Sequence, residues 1–130
     1  MKTTKQLGIW MDHSIAHVME LTDQTIESST IEAQSMDQDD EVNWKDETLM
    51  QHKAQSYLSD YFKRLSNIIK DYDEILLFGP TDAKGELFNL IDSDRHFDRI
   101  KIAIRTADKM TEKQQKAFVK EYFETAKQML

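Results

Sequence analysis

Leu7, Ile9 and Met11 alternate with Gly8, Trp10 and Asp12, and a period of two predicts a β-strand. Trp10 then belongs to the core under a helix, because central strands are covered on both sides. Asp12-His13-Ser14 reads as a turn, since Asp and Ser side chains bond back to nearby backbone. Ile15 to Leu21 is the returning strand of a hairpin. Thr22-Asp23-Gln24 is a second turn, and the polar stretch Thr25 to Ala33 is a third strand suited to a sheet edge, where one rim meets water. Residues 34–47 have no period and read as a loop, with Trp44 expected to fold back onto the domain. Thr48-Leu-Met-Gln51 has capping-box spacing. Behind it, apolar residues recur at steps of 3 and 4 from Met50 through Tyr57, Tyr61, Leu65 and Ile69 to Tyr72, one stripe of a long helix. Ile75-Leu-Leu-Phe78 is a continuous apolar run ended by Gly79-Pro80, as a strand buried on both faces requires. Asp82 to Ile91 reads as a short helix. Ile100, Ile102 and Ile104 alternate with Lys101, Ala103 and Arg105 and predict a strand near an edge. Thr111-Glu-Lys-Gln114 is a second capping box, and the last helix turns Phe118, Val119, Tyr122 and Phe123 inward.

The element order is β-β-β-α-β-α-β-α, one α/β domain over residues 1–130. A meander of three strands pairs antiparallel. Strands joined through helices run parallel by right-handed crossovers. This is the element order of the ribonuclease H-like fold, with a five-stranded mixed sheet ordered 3-2-1-4-5 and strands 1, 4 and 5 parallel. Such a fold carries many unrelated functions.

Composition narrows the field. The chain has 130 residues and no cysteine, which excludes disulfides, thiolate catalysis and cysteine-held zinc. No apolar run approaches the ~18 residues of a membrane span, and the basic start before Leu7 leads into a stretch too short for a signal sequence. The expected compartment is the cytoplasm. The net charge of −7 opposes bulk binding to nucleic acid, yet it is unevenly spread. Residues 37–47 hold six acids and one base, a net of −5. Residues 95–120 hold Arg95, Arg99, Lys101, Arg105, Lys109, Lys113, Lys116 and Lys120 against Asp98, Asp108 and Glu112, a net of +5. That basic region is the candidate nucleic-acid contact, beside the plainer reading of a solvated strand and helix face.

Two motifs carry a resemblance. Gly8-Ile-Trp-Met-Asp12-His13-Ser-Ile-Ala16 is similar to the Trp-x-Asp-His-x-x-Ala hairpin of standalone bacterial relatives of the release-factor family. Leu77-Phe-Gly79-Pro80-Thr-Asp-Ala-Lys84-Gly-Glu-Leu-Phe88 resembles the strand-to-helix turn in the middle domain of archaeal and eukaryotic peptide-chain release factors and of Pelota. There the pattern is roughly Gly-Pro-Gly-x-x-Lys-x-x-Phe after a buried strand. The resemblance covers most of the chain in layout and about 20 residues in motif. It implies a ribonuclease H-like domain that works in translation, with the ribosome or RNA as partner and no cofactor. Release factors direct water to peptidyl-tRNA with a Gly-Gly-Gln tripeptide. This chain has no two adjacent glycines, so that hydrolysis is not carried over, and a binding role is expected over an enzymatic one. Pelota lacks the tripeptide as well and acts in ribosome rescue.

In a sheet of this order ligands favour the carboxyl ends of the parallel strands. Those ends bring together Asp12-His13, the turn Gly79-Pro80-Thr81-Asp82 with Lys84, and Thr106-Ala-Asp108. The turn opens a helix whose free amides, with Lys84, could hold an anion, or Thr81 or Asp82 simply caps them. Asp12, Asp82 and Asp108 are the candidate carboxylates of an alternative, a Mg²⁺-dependent phosphoryl-transfer enzyme, although turn-forming and capping roles suit the same residues. His13 and His17 are four residues apart but flank a hairpin turn rather than lie on a helix, and no HExxH run occurs among the four histidines, His13, His17, His52 and His96, so no metal site is implied. Alternation places His13 and His17 on one face if the strand runs unbroken. No Gly-x-Ser-x-Gly elbow supports a serine hydrolase. A third reading is a structural module that forms a homodimer through the polar edge strand Thr25–Ala33.

Overall fold

A computed structural model of the chain describes residues 5–22, 25–33 and 47–128, with side chains over 57–125 in the last stretch. The expectations for residues 34–46, including the seat of Trp44, lie outside the described residues. Five strands and three helices follow in the order β1 (Gln6–Met11), β2 (Ile15–Leu21), β3 (Ile26–Glu32), α1 (Glu47–Ile69), β4 (Glu74–Gly79), α2 (Ala83–Asp92), β5 (Lys101–Thr106) and α3 (Glu112–Gln128). The strands form one mixed sheet ordered β3-β2-β1-β4-β5. β1 pairs antiparallel with β2 and parallel with β4, β2 antiparallel with β3, and β4 parallel with β5. Sheet order and strand directions are those expected from the element order. β5 lies at one edge and the polar β3 at the other.

The pleat sends successive side chains to opposite faces, and each face has its own core. Leu7, Ile9 and Met11 of β1 and Ile75 and Leu77 of β4 meet Tyr61, Leu65 and Ile69 of α1 and Leu87 and Ile91 of α2. On the other face Trp10, Met19, Leu76 and Phe78 meet Val119 and Phe123 of α3. This double burial explains why Ile75 to Phe78 shows no polar alternation. All four side chains are at most 1% exposed, and burying each is worth about 2 kcal/mol. Phe78 stacks on Phe118 with ring centroids 4.8 Å apart.

Gly8 lets α3 lie close on the sheet. A Cβ placed there would stand 2.3 Å from Val119 Cγ2. The cap of α3 forms as its spacing requires: the Thr111 amide donates to Gln114 Oε1 at 3.0 Å, and the Gln114 amide donates to Thr111 Oγ1 at 3.2 Å. The first helix departs from expectation at both ends. It begins at Glu47, one residue before Thr48, and ends at Ile69. Tyr72 therefore packs on the core from the turn that follows, where its amide donates to Ile69 O at 3.1 Å. A single 3-10 turn, Arg95–Phe97, precedes β5 and carries Phe97 into the α1/α2 core. Asp94 opens it by accepting from the His96 amide at 2.9 Å. That bond and the His96 imidazole hold the Asp94 carboxyl below its ordinary range. Among the described residues no helix is long and apolar enough to cross a membrane.

Candidate functional site

The carboxyl ends of β1, β4 and β5 lie side by side, and two contacts lock them. Gly79 approaches β1 so closely that an added Cβ would stand 2.2 Å from Met11 O, at a backbone φ of +152°. On the other side Gly79 O accepts from the Ala107 amide at 3.1 Å. The three segments expected to meet, Asp12-His13, Gly79–Lys84 and Thr106–Asp108, therefore share one edge of the sheet.

Their side chains are largely committed to local structure. The Asp12 carboxylate accepts from the amides of Ser14 at 2.7 Å and Ile15 at 2.9 Å, which closes the hairpin turn. The Tyr61 hydroxyl donates to Asp12 O at 3.0 Å and ties that turn to α1. Burial raises the Tyr61 hydroxyl pKa well above the ordinary tyrosine range, and the nearby Asp12 charge pushes the same way. Thr81, not Asp82, caps α2: its Oγ1 accepts from the Ala83 amide at 3.2 Å, and Asp82 makes no side-chain cap bond. Lys84 is only 6% exposed. Its ammonium turns back into its own loop and donates to Thr81 O at 2.5 Å. An ammonium has three donors, so the Lys84 head remains a source of positive charge at this edge. His13 pairs with Glu86 of α2, both half exposed.

His13 and His17 do not share a face. Alternation holds only within a strand, and the Asp12–Ser14 turn resets it. His13 reaches α2, whereas His17 packs on the other side against Trp10, with ring centroids 5.6 Å apart. Nearby, Ser28 donates to Glu112 at 3.1 Å. That bond, with Lys116 at 3.6 Å, holds the Glu112 carboxyl below its usual range. Trp10 Nε1 and Gln115 Oε1 are buried on this face without a hydrogen-bond partner.

Asp12, Asp82 and Asp108 stand at one edge but do not converge. Among the described residues no group of three His, Cys, Asp or Glu side chains could hold a metal ion. That arrangement does not fit the Mg²⁺-dependent alternative. The basic region is also divided by the fold. Arg95, Arg99 and Lys101 lie at the amino end of β5, and Arg105, Lys109 and Lys113 at its carboxyl end. Four strand steps separate Lys101 from Arg105, about 13 Å. Only the second group stands beside the strand-end segments. Lys109 and Lys113 are exposed and make no ion pair with any described residue.

The sequence signals for Asp12, Gly79, Pro80 and Lys84 were local. The His13–Glu86 pair and the Tyr61 bond join residues 73 and 49 positions apart, and no periodicity announces them. The only clue was a hydroxyl on the apolar stripe of α1, since a buried tyrosine seeks a partner for its O–H.

No protein-family model and no curated protein matches the chain. Solved structures do. Pelota from Thermoplasma acidophilum aligns over 85% of this chain and 30% of its own, with a TM-score of 0.54 and 14% identity. Pelota from Archaeoglobus fulgidus aligns over 92% and 32%, with a TM-score of 0.59 and 7% identity. An archaeal translation termination factor, aRF1, aligns over 95% and 40%, with a TM-score of 0.48 and 13% identity. The chain thus spans about a third of the length of the Pelota proteins it matches. At these identities the likeness is one of fold: the chain has the α/β fold, with sheet order 3-2-1-4-5, of a domain found in Pelota.

Proposed function

We propose that this chain is a non-catalytic binding module of the bacterial cytoplasm that acts on the translation machinery. Its contact with the ribosome or RNA is made through Arg105, Lys109 and Lys113. The strand-end turn Asp12-His13 with Pro80 and Thr81 forms the adjoining surface, and Gly79 and Lys84 are buried beneath it. The observation that carries this reading is the fold shared with Pelota, joined to cationic residues beside the carboxyl ends of the parallel strands, of which Lys109 and Lys113 make no ion pair with any described residue. Arg95, Arg99 and Lys101 lie at the other end of β5 and are left out of this patch. The three glycines are Gly8, Gly79 and Gly85, so a Gly-Gly-Gln tripeptide has no place in the mechanism. Binding without hydrolysis is the activity proposed.

Ribosome co-sedimentation in a bacterial lysate tests it. The protein should travel with ribosomes or a subunit at low salt and leave as salt rises. Lys109→Glu with Lys113→Glu should weaken this binding and lower the log–log salt slope by about 1 to 2, since each lost phosphate contact removes ~0.7–0.9. Protein that stays at the top of the gradient at every salt concentration sinks the reading.

A second reading, a homodimer through β3, rests on one observation. The Ala33 amide donates to Ser14 O and the Thr22 amide to Thr25 O. This phase turns the peptide groups of Ile26, Ser28, Thr30 and Glu32 outward. In an antiparallel self-pair centred on Ser29, Glu27 would face Ile31 and Glu32 would face Ile26, so no like charges oppose. Light scattering at high concentration should then show a dimer; a monomer excludes it.

A further inference from the structure

The opposite edge of the sheet has a different chemistry. The Lys101 amide donates to Asp73 O at 3.0 Å and the Ala107 amide to Gly79 O at 3.1 Å. In a parallel pair alternate residues bond to a given neighbour. Residues 101, 103, 105 and 107 therefore face β4, and Ile102, Ile104 and Thr106 turn their peptide groups outward. Among the described residues no element pairs with this rim. An open rim of this kind is a template for an added strand.

We propose that β5 is a docking strand for an extended segment of a partner protein in which acidic and apolar residues alternate. The flanking side chains alternate in the same way. Lys101 and Arg105 are exposed on the α3 face, and Ile102 and Ile104 are half-buried on the α2 face. An added strand places every second residue on one face. Its acids would meet Lys101 and Arg105, and its apolar residues would extend the Ile102–Ile104 surface.

Arg105 makes the choice of partner sharper. Its Nη1 donates to Ile104 O at 2.9 Å, and its guanidinium lies 5.3 Å from the centre of the Tyr122 ring. The side chain thus covers the acceptor at the middle of the rim. A neutral or basic strand must displace it with nothing in return. A carboxylate takes over the guanidinium as it moves and frees Ile104 O for the incoming amide. The same charges oppose the central register of self-pairing. In an antiparallel self-pair centred on Ala103, Lys101 of one copy faces Arg105 of the other, and like charges directly opposite are unfavourable. This inference does not rest on the translation reading: Arg105 is common to both, whereas Lys109 and Lys113 serve the translation reading alone.

The test uses the whole chain, isotope-labelled, with an acetylated ten-residue Glu-Val repeat and its Lys-Val and Ser-Val counterparts as probes. The Glu-Val peptide should slow amide exchange at Ile102, Ile104 and Thr106 by about tenfold or more at saturation, and the Lys-Val peptide should not. Ile104→Pro removes a rim N–H that β4 does not use. It should weaken binding about tenfold, with the Ala103 and Arg105 amides still protected. If that variant does not fold, Lys101→Glu with Arg105→Glu replaces it and should reverse the preference toward the Lys-Val peptide. Arg105→Gln should narrow the gap between the Glu-Val and Ser-Val peptides. Equal binding of the Glu-Val and Lys-Val peptides overturns the proposal. So does binding that ignores both the proline and the charge reversal. Exchange slowed at the rim by a ten-residue oligouridine and not by the acidic peptide also overturns it, in favour of a nucleic-acid edge.

Discussion

Gly79→Val is expected to cost at least about 3 kcal/mol, and it should be the most damaging single change at the carboxyl edge of the sheet. Two independent penalties add. At φ +152° a residue with a side chain adopts a conformation worth roughly 1–3 kcal/mol of strain. Its Cβ would also stand 2.2 Å from Met11 O, and a main-chain oxygen inside a paired strand cannot rotate away. Relief requires β1 and β4 to separate just where the Ala107 amide is bonded to Gly79 O. Urea denaturation should show a midpoint shift far outside error with little change in slope. Gly79→Ala should show most of the loss, because the first carbon already collides. An unfolding free energy within about 0.5 kcal/mol of the parent protein's would mean that the strand ends are not locked as described.

Gly8→Leu is the second large effect, and it has a built-in cure. A Cβ at Gly8 meets Val119 Cγ2 at 2.3 Å and Cγ1 at 2.8 Å. These are the short, stiff branches of a β-branched side chain, fully buried between α3 and the sheet. Overpacking of this kind costs about 1–3 kcal/mol, and leucine should reach the upper end. Gly8→Ala should cost less, and Gly8→Ala with Val119→Ala should recover part of that loss. A double-mutant cycle reads the coupling, expected at about 1 kcal/mol or more for residues in contact. Strict additivity would show that α3 does not lie on β1 through this pair.

Strand order and strand direction were legible because both depend on local signals. Alternation marks Leu7 to Met11 as a strand, the unbroken run Ile75 to Phe78 marks a centre, and helices between strands dictate parallel pairing. The side-by-side placement of the segments that carry Asp12, Gly79 and Asp108 followed from that topology. Other features depend on which neighbour a face meets, and periodicity is silent on that. The His13–Glu86 pair needs the turn at Asp12–Ser14 to swing His13 toward α2. The basic run 95–120 looks continuous as a string, but six residues of β5 carry it from one end of the sheet to the other. Tyr72 keeps the spacing of the α1 stripe by coincidence, since the helix has already ended at Ile69. Arg105 over Ile104 O is a contact between chain neighbours, but its meaning appears only once β5 is known to be an edge.

The pairing of Gly8 with Val119 also bears on how the chain is made. The two residues are 111 positions apart (119 − 8). A ribosome emits them several seconds apart, at about 5–20 residues per second. Until α3 leaves the exit tunnel, the Trp10–Leu76–Phe78 face has no cover, while the face under α1 and α2 can already close. The nascent protein therefore passes through a stage with one finished core and one bare apolar sheet surface. That interval is when this chain is most open to chaperones and to aggregation, and it ends only as its last helix emerges.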